Sequence, residues 1–325
     1  MVRFLAQRLF TMVVLLLAVS ILGFMLVRVL PGNPATSILG LRATPAMVAQ
    51  LTKDFGYDQP LVTQYLSWLS KAVRGDLGYS LASSGSGNSI SGVAVSSLLV
   101  QGLKITLPLA LLGTLIAVLL GTPLGVLAAS REGKITDHAV SIFSVIGLSV
   151  PDFFLAFLFI LLFTVKLGLL PSVGSPDLFT DPTGALAALM LPALTIGIVN
   201  STAIARTTRA ATRRALHTEF VRLAQARGAP RSVVVFKHAL KNALVPVVTV
   251  VGIQFGYVCS GVIVVESVFA LPGNGRQLLV AITQRDYPTI QALILLFAIM
   301  FALANLLADA ASAVLDPRIR TGAAS

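Results

Sequence analysis

The sequence predicts an all-α, polytopic membrane protein with six transmembrane helices, and three observations carry that expectation. Hydrophobic residues make up 56% of the 325 residues, charged residues only 11%, and the mean hydropathy is +0.89, which lies outside the soluble globular range. Six apolar runs, at about 9–30, 103–129, 139–165, 185–205, 243–267 and 289–314, each approach or exceed the roughly 20 residues needed to cross a hydrocarbon core of about 30 Å as helix. Lysine and arginine collect at alternate ends of these runs.

The first run follows Arg3 and Arg8 and is too long for the apolar region of a signal peptide, so it reads as a retained anchor. Residues 31–102 then form a long external segment. Within it Leu51, Phe55, Leu61, Tyr65, Leu66, Leu69 and Val73 fall at spacings suited to short amphipathic helices, with Pro45 and Pro60 at the helix starts. This segment predicts a small folded cap, followed by a polar, glycine-rich turn at "SSGSGNSISG". In the third run, "SVPD" places Ser149 and Asp152 as a capping box with Pro151 in the first turn, which predicts a break in the span.

Orientation follows from the positive charge. Arg3 and Arg8, Arg131 and Lys134, nine Lys and Arg from Arg206 to Lys241, and Arg318 and Arg320 share one side of a six-span topology, which is then the cytoplasm. Both termini are expected there, in a bacterial cytoplasmic membrane. The opposite short loops hold Lys166, Arg276 and Arg285 with Asp177, Asp181 and Asp286. A net charge of +11 does not point to nucleic acid, because the basic residues lack interleaved aromatics. Anionic membrane lipid is the expected partner of that charge.

The basic stretch "EFVRLAQARGAPRSVVVFKHALKNALVP", residues 219–246, cannot lie in the bilayer. "TEFVRLAQARG" predicts a short helix capped by Thr218, with Phe220, Leu223, Ala224 and Arg227 at helical spacing and Gly228 as a left-handed terminator. A second helix restarts at Pro230, with Val233, Val234, Phe236 and Leu240 as its apolar positions. Ala224, Ala226 and Gly228 give the first helix small residues for close approach to another protein.

Catalytic chemistry finds no support in the residues. The chain has no GxxxxGK[ST] phosphate loop, and His138, His217 and His238 lack ligand-like spacing. Cys259 can form no intrachain disulfide or thiolate cluster. Among polar residues in the spans, Asn200, Thr249, Gln254, Tyr257, Ser260 and Asn305 either line a pathway or bond between helices. Gln254 is the first candidate for lining, with Asn200 and Asn305. A secondary transporter would need internal repeats and intramembrane coupling charges, and neither stands out.

Several motifs in order resemble ABC-importer permeases of the dipeptide and oligopeptide (OppB/DppB) family. They include "LPGNPA" at 30–35, "FGYDQPLVTQYLSWL" and "GDLGYS" in the external segment, "GLSVPDFFLAFLFILLF" at 147–163, "LGLLPSVG" at 167–174 and "LPALTIGI" at 191–198. "VVESVFALPGNGRQLLVAITQRDYPTIQ" at 264–291 and "LDPRIR" at 315–320 complete the series. The basic stretch resembles that family's EAA loop, although the motif's glutamate position holds Arg222, its first alanine position holds Leu223, and Glu219 lies one turn earlier.

The resemblance implies a type I ABC importer permease fold with cytoplasmic coupling helices, divided as 1–30 (first helix), 31–102 (cap), 103–315 (five-helix core with coupling loop 206–242) and 316–325 (tail). It implies a homologous second permease, ABC ATPase domains that use ATP and Mg2+, and an extracytoplasmic binding protein, with no cofactor or metal in this chain. Coupling is expected at Glu219, Arg222, Ala224, Ala226, Gly228 and Pro230. The expected cargo is a peptide, with nickel or haem as the alternative because related permeases share these motifs.

Overall fold

The computed structural model describes residues 2–29, 44–54, 58–80, 92–174 and 180–315. The readings that fall on "LPGNPA", Phe55, "SSGSGNSISG" before its last residue, Asp177 and the tail 316–325 lie outside them, as do the side chains of Arg3, Leu51 and Ser260. Among the described residues, five helices are long and apolar enough to cross a membrane, and the count rises to six if one bent pair is taken as a single span. The long helices are α1 (Val2–Val29), α4 (Val95–Ser130), α7 (Pro182–Leu216), α9 (Leu240–Gly261, entered through Arg231–Ala239) and α12 (Tyr287–Leu315). The bent pair is α5 (Ile135–Ser149) and α6 (Asp152–Phe159, continued as a π-helical stretch Ile160–Lys166), which meet at 100°.

The break in the third span is therefore present, but the expected capping box is not. Ser149 is still the last helical residue of α5, so its hydroxyl turns back to the Val145 carbonyl at 2.9 Å. Pro151, with φ −65° and ψ 141°, ends one helix and precedes the next, and α6 has no side-chain cap. Asp181 does cap its helix. It accepts the Gly184 N–H at 2.9 Å and the Thr183 hydroxyl at 2.9 Å, and these bonds hold its carboxyl below the ordinary value.

The core is a packed seam of α4, α7 and α9, with Leu109, Leu189, Ile196 and Val258 buried in one cluster. Helices in lipid gain little from apolar contact alone, so close packing of small residues has to hold them. Gly113, Gly121 and Gly125 on α4 supply it: a Cβ on Gly121 would stand 2.6 Å from the Ser201 carbonyl oxygen, and one on Gly125 2.5 Å from that of Ala205. At about 1.5 Å per residue, the 35 residues of α7 extend roughly 52 Å, well beyond a core of about 30 Å. The span read as 185–205 thus continues as rigid helix to Leu216.

The external segment contains α2 (Pro45–Asp54) and α3 (Leu61–Val73), with Pro45 and Pro60 at their starts as expected. The face of α3 turned inward is only partly the predicted one, with Tyr65 and Leu69 half-buried as their spacing implies. Leu61, Leu66 and Val73 are exposed, while Gln64 is buried and Tyr65 and Trp68 pack on Phe24 of α1. The Tyr65 hydroxyl also bonds to Ser20 at 2.8 Å. A two-residue hairpin, Tyr79–Ser80 against Val93–Ala94, had no periodicity to announce it. Its Ser80 hydroxyl donates to Asp286, which also accepts from Thr289, tying the cap to the start of α12.

If the α4–α7 seam sets the fold, Gly125→Val should lower the unfolding temperature of the detergent-purified protein by several degrees. Overpacking of this kind costs about 1–3 kcal/mol. The control Gly75→Val sits in an open turn with nothing near its Cβ position. It should disturb the turn's backbone without loosening the α4–α7 contact, read by a cysteine crosslink across those helices.

Candidate functional site

The basic end of the bundle carries the most unusual construction. Helix α7 ends at Leu216, and α8 (Glu219–Ala226) starts after two residues. Thr218 occupies the N-cap position of α8, but its hydroxyl donates to the Ala215 carbonyl at 2.7 Å. It satisfies the last turn of α7 instead of the first turn of α8, which corrects the expected side-chain cap. At the other end the expected left-handed glycine is present. Gly228 has φ +79°, its N–H donates to Gln225 O at 2.9 Å, and the Ala229 N–H reaches back to Ala224 O at 3.1 Å. Those two bonds form a Schellman motif. Pro230 is extended and starts the next turn at Arg231.

Helix α8 rests on the bundle through Val221, which is fully buried. Glu219, Phe220, Arg222, Leu223 and Ala226 are exposed, and Ala224 is half-buried. Phe220 touches the His238 ring edge to face at 5.2 Å, and Leu223 is 53% exposed. Phe220 and Leu223, expected at the apolar positions of α8, are therefore not its buried face. In the second helix Val234 is buried as expected, but Val235 and Ala239 are buried as well while Phe236 is exposed. The cause is local: Val234–Ala239 is π-helical, and i→i+5 bonding shifts each side chain around the axis relative to a 3.6-residue turn.

An ionic clamp fastens the extended end of α7 to the turn between α4 and α5. Asp137 is 3% exposed and takes a bidentate contact from Arg209, Nε at 2.5 Å and Nη2 at 3.0 Å, plus the Gly133 N–H at 3.1 Å. One turn on, Glu132 pairs with Arg213 at 2.5 Å and with His217 at 3.4 Å. None of these partners is sequence-adjacent, and the arginines among them carry only a topology signal in the sequence.

Deeper in the bundle, Gln254 donates to the Asn200 side-chain oxygen at 3.0 Å, and Asn200 donates to Ile196 O. Asn200 borders a cleft of about 190 Å3 with Asp152, Tyr257 and Val262. Asn305 stands apart: it bonds to Phe301 O and faces a groove toward α1, beside Arg8 and Asp309. Thr249 bonds across to Ser312 at 3.1 Å, as expected of polar residues that join helices.

At the opposite end, α10 (Ile263–Val268) and α11 (Asn274–Gln284) enclose a polar knot that spacing could not reveal. Glu266 is fully buried and accepts the Thr106 hydroxyl at 2.7 Å and the Arg276 N–H at 2.9 Å. Thr106 in turn accepts the Asn274 N–H at 2.8 Å. The motif "ESVFALPGNGR" thus folds around its own carboxylate.

Residues 121–321 match the family described as binding-protein-dependent transport system inner membrane component, and residues 1–109 match its N-terminal companion. The chain belongs to this family. It is 38% identical to "Probable peptide ABC transporter permease protein y4tP" of Sinorhizobium fredii over 98% of this chain and 99% of that one. It is equally 38% identical, with the same coverage, to the glutathione transport system permease protein GsiC of Escherichia coli K12. Two crystal forms of the inward-facing MetNI methionine ABC transporter share the fold, at TM-scores of 0.53 and 0.54 with 24% and 22% identity, covering 68% of this chain and 97% of theirs. This family member is accordingly the multi-pass membrane permease of an ABC importer, a transport subunit and not an enzyme. The resemblance read from the motifs is borne out.

Because the clamp joins the candidate coupling segment to the α4–α5 turn, Asp137→Ala should destabilise the protein by stranding Arg209. Breaking a buried pair costs about 3–5 kcal/mol, and the partial exposure of Arg209 places this one at or below the low end. The double variant Asp137→Ala/Arg209→Ala should recover part of the loss in thermal unfolding. Additive losses would mean that the two side chains act separately.

Proposed function

We propose that this permease imports peptides, together with a homologous second permease, two ABC ATPase domains that bind ATP and Mg2+, and an extracytoplasmic binding protein. The peptide assignment is supported by 38% identity across nearly the whole chain to permeases named for peptide and glutathione transport. The basic end is the cytoplasmic one, with both termini on that side.

The observation that carries the mechanism is α8, an eight-residue helix anchored by buried Val221 while Phe220 and Leu223 face outward. A helix of this length, about 12 Å, buries little surface alone. Seated in a cleft of an ATPase domain, it would pass that domain's displacement to α7 as a rigid body. Glu219, Arg222, Ala224, Ala226, Gly228 and Pro230 form or flank the docking segment. The Arg209–Asp137 clamp would carry the same displacement to α4 and α5. Asn200, held by Gln254, together with Asp152 would line the pathway that opens alternately to either side; Asn305, on the α1 side, would serve packing instead.

Proteoliposomes containing the co-expressed importer test the cargo. A labelled dipeptide or the tripeptide glutathione should accumulate with ATP and binding protein, whereas uptake of nickel or haem alone would overturn the peptide assignment. Gly228→Val should leave membrane insertion and subunit pairing intact while uptake and substrate-stimulated ATP hydrolysis fall at least tenfold. Nothing lies within 4 Å of the added Cβ, so the penalty comes from the left-handed φ, which a β-branched residue resists. Normal coupled transport by that variant would place the lever elsewhere.

A further inference from the structure

On the far side of the π-helical stretch from α8, a groove of about 670 Å3 runs between the basic end of α4 and residues 231–240. Its volume is within the roughly 300–1,000 Å3 range of small-molecule sites. The two sides of that stretch are distinct: His238 meets Phe220 of α8, while Phe236 and Val235 line the groove. The walls are apolar, from Pro123, Val126 and Leu127 on α4 to Val235, Phe236 and Leu240 opposite.

The rim is cationic. Arg131, Lys134 and Arg231 all border the groove, and Arg231 closes one end by donating to the Ser130 carbonyl. Arg131 and Lys134 have no acidic partner among the described residues. Glu132, the acid between them, is turned away to Arg213 and His217. An apolar trough capped by unneutralised cations, at the level where a span meets the membrane surface, is complementary to an amphiphile with an anionic head. Basic pockets between helices at a membrane surface recognise anionic lipid headgroups on this basis.

We propose that this groove is a binding site for an anionic phospholipid. Its phosphate would sit between Arg131 and Lys134, and one acyl chain would lie along Leu127 and Phe236. Arg131 would act as a fork donor and Lys134 as a point donor to the phosphate. The site depends on neither the cargo nor the direction of transport, so it stands or falls separately from the peptide assignment.

The test uses the full-length chain in detergent, alone and within the co-expressed importer, titrated with phosphatidylglycerol or phosphatidylcholine and read by native mass spectrometry. Phosphatidylglycerol should be retained at least tenfold better than phosphatidylcholine, and less so at high salt. Arg131→Gln/Lys134→Gln should erase that preference, while Arg131→Lys/Lys134→Arg keeps most of it and shows that the fold survives. Leu127→Trp, which fills a half-open part of the wall, should reduce retention with the charges intact. Equal retention by the wild type and the glutamine variant would overturn the proposal. So would full displacement by inorganic phosphate at a concentration comparable to the lipid, which would assign the rim to phosphate alone. Loss of the lipid upon assembly with the second membrane subunit would assign the groove to that subunit and likewise overturn it.

Discussion

Gly113, Gly121 and Gly125 of α4 lie against α7 with no side chain of their own between the two backbones, and Gly197 answers them from the other helix. In a bilayer the hydrophobic effect does not press helices together, so this proximity has to come from dispersion contact and interhelical polar bonds. The other spans attach around the resulting seam: α9 packs on α7, α12 on α9, and α1 on α12. Gly252 and Gly256 of α9 repeat the device toward Ala308 and Phe301 of α12. A single methyl group at any of these points has nowhere to go.

The two ends of the seam are finished differently. At the basic end, charge does the fastening: Asp137 and Glu132 hold Arg209, Arg213 and His217, so α7 stays rigid for several turns past the hydrocarbon. At the opposite end, a buried carboxylate satisfies backbone N–H groups that no helix could satisfy. Glu266, Thr106 and Asn274 close the α10–α11 connection, and Asp286 binds Ser80 of the external hairpin. Irregular backbone at these depths is tolerated only where protein groups complete its hydrogen bonds.

A rigid α7 makes sense of α8. A short helix with one buried anchor, Val221, and an exposed apolar pair cannot persist by its own packing, and its geometry is instead fixed by what precedes and follows it. Thr218 completes α7, and Gly228 with Ala229 completes α8, so the direction of α8 relative to α7 is set by backbone bonds. Such a unit would move with α7 when pushed, as the proposed transmission of displacement requires.

The sequence by itself determined the solvent and the punctuation. Runs of apolar residues specify membrane helices because hydrocarbon offers the backbone no other partner, and Gly228, Pro45, Pro60 and the Pro151 break were legible because φ and the missing N–H are local properties. Family membership was legible for a similar reason, since motifs in order survive in the chain itself. The tertiary structure alone decided which faces are buried. Val221 instead of Phe220 and Trp68 instead of Leu66 depend on neighbours distant in sequence, and Val235 instead of Phe236 on a π-helical turn. The pairings Asp137–Arg209, Glu266–Thr106 and Gln254–Asn200 join residues 72, 160 and 54 positions apart. No local period encodes such a pair, because only the packing of whole helices brings its members within hydrogen-bonding distance.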